Sequence, residues 1–190
     1  MRSKKTTNKT RPSKGVESLK SWTGKANATI VYDSTVDQFT ADGLFDKVKG
    51  KRNVAVIGFT TDCDVFGGFY SVAVTEQNRC FFDPNIFAFS FESHGRCETP
   101  KRFVVKEDKK DKAFVLFYKN NSRNRFVLFG VINADVCGFY LGNEKSDSFC
   151  CDLSRGFEGI EDTTLTGQNL EDDDYGPYHH CTRLVAIQLE

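Results

Sequence analysis

The stretch Ile86-Phe-Ala-Phe-Ser-Phe-Glu92 constrains this chain more than any other. In an extended backbone Phe87, Phe89 and Phe91 point to one side, and Ile86, Ala88, Ser90 and Glu92 to the other. A strand with a wholly aromatic face needs an opposing layer to bury it, and a second stacked antiparallel sheet is expected to supply it. Phe accounts for 18 of the 190 residues, against one Met and one Trp, so the apolar content is weighted toward strand formers. Further candidate strands occur at 28–32, 54–60, 65–74, 103–106, 114–118, 126–131, 138–141 and 182–189, about nine in all at hairpin-like spacing. Residues 54–60 and 65–74 flank Thr61-Asp-Cys-Asp64 and predict a hairpin with a short polar turn. One short helix is predicted from Thr40 to Val48, capped near Thr40 or Asp42, turning Leu44, Phe45 and Val48 inward and stopping at Gly50. Val16, Leu19 and Trp22 mark a helical turn before the first strand. So few helices leave little for parallel crossovers. The expected fold is mostly β: a two-layer antiparallel β-sandwich with one or two short helices.

The length suits one domain with a tail. Residues 1–15 are mostly Lys, Arg, Thr, Ser and Asn with one Pro, a composition expected to form a disordered basic arm, and residues 22–190 are expected to form a single domain. Twenty-six Lys and Arg balance twenty-six Asp and Glu, so there is no global field to favour a specific nucleic-acid partner. The distribution is uneven. Residues 1–20 carry seven bases against Glu17, residues 101–125 carry nine bases against three acids, and residues 143–180 carry ten acids against Lys145 and Arg155. That last stretch, 38 residues without strand periodicity, reads as a long functional or internally packed loop.

No stretch approaches the roughly 20 apolar residues of a membrane span, and the first twenty residues hold no secretory signal. A cytoplasmic location is expected, with a nuclear address in the basic arm as the alternative. Seven Cys without a Cys-x-x-Cys pair argue against a disulfide scaffold. Among them Cys97, in Ser93-His-Gly-Arg-Cys97, is the candidate redox thiol because His94 and Arg96 are close in sequence, whereas Cys63 lies between Asp62 and Asp64. His179-His180-Cys181 alternate in direction along a strand and are not expected to share a metal ion. Glu171-Asp-Asp-Asp174 lacks the alternating oxygen ligands and central Gly of an EF-hand loop and is read as a solvated acidic run. Gly67-Gly68, inside a strand, mark a bulge, a close backbone approach or a docking surface, with Phe66 in the core. Nucleotide, dinucleotide and serine-hydrolase signatures are absent, and no cofactor is expected.

The strings Ile30-Val-Tyr-Asp-Ser34, Phe39-Thr-Ala-Asp-Gly-Leu-Phe-Asp-Lys-Val-Lys-Gly-Lys51, Val54-Ala-Val-Ile-Gly58 and Val65-Phe-Gly-Gly-Phe69 follow one another in the order and spacing of the TLDc domain family. Gly138-Phe-Tyr-Leu141 and Cys181-Thr-Arg-Leu184 resemble its later blocks, extending the resemblance over roughly residues 22–190. The final strand carries Val185 and Ile187 where the family pattern has Glu and Trp. The resemblance implies a β-sandwich linked to protection from oxidative stress and, in some members, to the vacuolar proton-pumping ATPase, without a catalytic mechanism. The expected function is a non-catalytic protein-interaction module. Its surface is expected to include Gly67, Gly68, Glu171, Asp172, Asp173 and Asp174, facing a partner with a basic surface, with Phe149, Phe157, Ile160 and Leu165 as apolar anchors. The alternative is a thiol-based redox enzyme or sensor centred on Cys97.

Overall fold

The computed structural model describes residues 11–117, 123–132, 136–146, 148–167 and 178–190. Helix α1 (Arg11–Thr23) precedes strand β1 (Ala28–Asp33), helix α2 (Ala41–Val48) and strands β2 (Val54–Thr60), β3 (Val65–Tyr70), β4 (Phe87–Glu92) and β5 (Lys101–Val104). A 3-10 helix (Glu107–Lys112) leads into β6 (Phe114–Leu116), β7 (Arg125–Ile132), β8 (Val136–Gly142), β9 (Cys150–Cys151), helix α3 (Leu153–Gly156) and β10 (Cys181–Leu189). Two antiparallel sheets result, one in the order β1-β10-β2-β3-β4-β5 and the other β6-β7-β8-β9. The long strand β10 pairs with β1 on one side, Ala28 opposite Leu189, and with β2 on the other, Val54 opposite Gln188. Asp33 at the end of β1 accepts hydrogen bonds from the Arg183 guanidinium, with Nε at 3.0 Å, and that pairing holds its carboxyl down at about 2.

Local chemistry sets the helix α2. The Thr40 hydroxyl accepts the Gly43 N–H at 3.1 Å from an extended N-cap, so one of the otherwise unpaired first-turn donors is satisfied. Ala41, Leu44, Phe45 and Val48 then face the core, and the chain leaves the helix through Gly50 at φ +73°.

The inner faces of the two sheets meet through aromatic rings. Phe66 lies edge-on to Phe139 at 5.4 Å and Tyr70 packs on Phe114 at 4.5 Å, while within the small sheet Phe129 stacks on Phe139 at 5.5 Å. The Phe129 ring occupies the space that a side chain at residue 68 would need: a Cβ built on Gly68 would overlap it. Gly67 is equally confined, because its Cβ would strike the Val56 carbonyl and the Phe89 ring. Both glycines remain in regular register with Val56 and Ile57 of β2, and the irregularity against β4 falls at Val65/Phe66 instead. Gly68 therefore serves close approach between the two sheets and Gly67 a tight fit against its neighbouring strands, and neither forms a bulge. Both are buried in mid-sheet, so the expected docking surface at Gly67 and Gly68 is not available to a partner.

The aromatic row of β4 faces the other way. Phe87, Phe89 and Phe91 lie on the outer face of the large sheet with Leu19 and Trp22 of α1, and Trp22 sits 6.0–6.3 Å from all three rings. Ile86, Ala88 and Ser90 are buried on the opposite side. Alternation separates the two faces of a strand but does not say which layer covers each. Here the cover for the aromatic face is a helix and not the second sheet, and the central strands of the large sheet are buried on both sides. Residues 11–15, expected within a disordered arm, belong to α1 or its first turns. Gly15 makes this packing feasible, since a Cβ there would approach the Phe91 ring at 2.8 Å. Residues 1–10 lie outside the described residues.

The segment 143–180 also differs from a simple loop. It contains β9, α3 and a bridge between Ser148 and His179. Phe149, Phe157, Ile160 and Leu165 are buried, with Phe157 paired to Val105 and 6.3 Å from Phe139. These side chains complete the domain and are not anchors for a partner. On the outer face of the small sheet Arg125 lies between the rings of Tyr140, 4.1 Å away, and Phe149, 4.8 Å away, beside Val115 and Leu128.

Phe89→Ala is expected to destabilise the fold by about 3–5 kcal/mol in denaturant melts and, because Phe89 lies under α1, to open cleavage by protease within residues 11–23 before the sheets unfold. Loss of stability without earlier cleavage in α1 would contradict the placement of this face.

Candidate functional site

The β2–β3 turn turns sharply enough to push a carboxylate inward. Cys63 adopts φ +66°, its N–H bonds the Thr60 carbonyl at 3.1 Å, and the next residue, Asp64, donates its own N–H to the Thr60 hydroxyl at 3.0 Å. The Asp64 side chain is 3% exposed. A carboxylate this deep needs partners. The turn after β4 supplies two: His94 Nδ1 donates at 3.0 Å and an Arg96 Nη at 2.5 Å, both to Asp64 Oδ1. The same Arg96 guanidinium donates from Nε to the Thr164 carbonyl at 3.1 Å and from Nη to the Leu165 carbonyl at 3.0 Å. One planar group thus joins the β2–β3 turn, the β4–β5 turn and the distal part of segment 143–167. Sequence gave little warning of it, because Asp64 and Leu165 come together only through the fold.

Further tethers hold the same segment. Lys106 Nζ donates to the Ser154 carbonyl at 2.8 Å and Lys101 Nζ to the Gly159 carbonyl at 3.3 Å. Asp162 accepts the Ser154 N–H at 2.7 Å and the Ser154 hydroxyl at 3.2 Å. The base-rich stretch beginning at Lys101 and the acid-rich segment are therefore neighbours, and Glu144, Glu158 and Glu161 remain exposed. The acidic run Glu171, Asp172, Asp173 and Asp174 lies outside the described residues.

The thiols fall into different surroundings. Cys97 is half-buried against the core, and its N–H donates to the Ser93 hydroxyl at 2.7 Å. The two basic side chains near it in sequence, His94 and Arg96, are engaged by Asp64. Cys150 and Cys181 are buried, and burial pushes both thiols up to about 12. Cys151 is raised to about 11, again chiefly by burial. Cys63 is exposed at its turn.

His179 is buried while His180 is exposed and Cys181 is buried. His179 Nε2 donates to the Tyr140 carbonyl at 2.8 Å, its N–H donates to the Ser148 carbonyl at 2.9 Å, and its ring stands edge-on to Phe66 at 5.2 Å. Burial lowers its pKa to about 4. Among the described residues, no cluster of three or more His, Cys, Asp or Glu side chains is placed to hold a metal ion. Likewise, none of the described helices is long and apolar enough to cross a membrane.

Two expectations follow. Because the folded form holds His179 neutral down to about pH 4 while the unfolded chain takes up a proton near 6.5, its contribution is complete above pH 6.5 and declines as pH falls toward 4. Between pH 7 and 5 the wild type should lose about 2 kcal/mol in denaturant melts, and His179→Gln, which keeps a donor for Tyr140, should flatten that slope. In native thiol titration Cys63 should react readily and Cys150 and Cys181 only as the fold opens; rapid labelling of Cys150 would contradict its burial.

Comparison with known families matches residues 2–169 to the TLDc domain, most of the chain. No curated protein matches it. The chain belongs to the TLDc domain family.

Proposed function

We propose that this TLDc domain is a non-catalytic protein-interaction module, serving the oxidative-stress response or the vacuolar proton pump as its family resemblance implies. Its partner would be a protein with a basic surface. The observation that supports binding most is the Arg96 junction, which links Asp64 of the sandwich to the Thr164 and Leu165 carbonyls of an acid-rich segment on which Glu144, Glu158 and Glu161 are exposed. A fixed array of like charges steers an oppositely charged partner without the cost of ordering a loose loop. The run Glu171–Asp174 extends this charge in sequence. With Phe149, Phe157, Ile160 and Leu165 inside the domain, attraction to the segment is electrostatic rather than anchored by its large apolar side chains.

The thiol alternative draws less support. The His94 and Arg96 side chains that singled out Cys97 are held by Asp64, an arrangement that stabilises a turn and not a reactive sulfur.

Pull-down with the full chain, followed by association kinetics with the captured protein and with purified vacuolar ATPase, distinguishes the two. Association should slow as salt rises. Replacing Glu144, Glu158, Glu161 and Glu171–Asp174 by Gln, Asn or Ser should lower the on-rate by roughly tenfold and flatten its salt dependence, while Cys97→Ser should leave binding intact. If Cys97→Ser abolishes the interaction and the acidic substitutions have no effect, the redox reading is the correct one.

A further inference from the structure

Helix α1 covers only part of the outer face of the large sheet, and at its C-terminal end a cavity of about 440 Å³ remains. The volume falls in the range of small-ligand sites. Its walls have two chemistries. Trp22, Phe69 and Phe87 form an aromatic side: Phe87 stacks on Phe69 at 4.8 Å and stands edge-on to Trp22 at 6.0 Å. Asn53, Ser71 and Asn85 contribute polar groups.

The charged side chains lining the cavity are Lys25 and Arg102. Arg102 is exposed but tethered. It donates from Nη1 to the Trp22 carbonyl at 2.9 Å and lies 5.9 Å from the centre of the Phe87 ring, so its guanidinium is held at the aromatic wall. Behind the polar wall the buried Asp83 carboxylate accepts from the N–H and hydroxyl of Ser71 and from the N–H of Asn85. Its donors thus satisfy it within the wall, and the two cations belong to the cavity itself. A fixed guanidinium, an ammonium and a partly exposed indole placed together recognise a particular kind of molecule. The anionic head pairs with Arg102 and Lys25, and a flat unsaturated body lies against Trp22.

We infer that the cavity at the C-terminal end of α1 is a binding site for a small organic anion bearing a flat aromatic ring. This site lies apart from the Arg96 junction and does not depend on the interaction proposed for the acidic segment.

Trp22 is the sole tryptophan of the chain, so its indole N–H gives one signal in a nitrogen–proton correlation spectrum and reports on the site directly. Titration of the full chain with 2-naphthoate should shift that signal saturably. The neutral 2-naphthamide should bind at least about tenfold more weakly, as the loss of a charge-assisted contact requires. Inorganic sulfate, which has charge but no ring, should produce no comparable saturable shift below the millimolar range. Arg102→Gln and Lys25→Gln, both changes of cations at the cavity mouth, should each weaken 2-naphthoate by about fivefold or more with an unchanged melting temperature. Equal affinity for the acid and the amide, indifference to Arg102→Gln, an equally tight response to sulfate, or no saturable shift with 2-naphthoate would each overturn the assignment.

Discussion

The large sheet is apolar on both faces, and most of the remaining architecture answers to that fact. On one side Gly68 yields its side-chain volume to Phe129, which lets the small sheet approach closely enough for Phe66, Phe139, Tyr70 and Phe114 to pack as one aromatic layer. On the other side α1 lays Leu19 and Trp22 over the phenylalanines of β4. The molecule is therefore a sandwich backed by a helix. Neither cover is optional, because an exposed row of Phe87, Phe89 and Phe91 would be a large apolar patch on a strand surface.

The second face also explains where ligand-sized space arises. A single helix crossing a six-stranded sheet cannot cover it edge to edge, so cavities remain at its flanks. One lies at the end of α1 beside Arg102 and Lys25. A second, of about 480 Å³, lies beside its first turns over Ile57, Val65, Val185 and Ile187. Charge balance distinguishes them. The lining of the first carries Lys25 and Arg102 with no acid, whereas that of the second sets Lys14 and Arg183 against Glu92 and Glu98.

Much of this was legible in the sequence and some was not, for reasons tied to range. The cap at Thr40, the β2–β3 hairpin and the alternation of β4 depend on neighbours within a few residues, and they stand in the structure as read. The family blocks from Ile30 to Phe69 were equally visible. Which layer covers the β4 phenylalanines depends on α1, some 70 residues earlier in the chain, and a period of two carries no information about that. The two-residue strand β9 and the single turn of α3 are too short to leave a periodic signal, so a packed segment resembled a long loop. Asp64 looked like one of two acids flanking a thiol. Its real role depends on Arg96 and on carbonyls about a hundred residues further on.

The account of function turns on the Arg96 guanidinium as the fastening that holds the acid-rich segment in place. Amide hydrogen exchange of the full chain, compared between wild type and Arg96→Met, tests this most directly. The account predicts that amides from Glu161 to Gly167 exchange at least about tenfold faster in the variant while those of β2, β3 and β10 keep their protection, since local opening there has its own free energy. Unchanged exchange across 161–167, or a uniform loss of protection through the sheets, would contradict it.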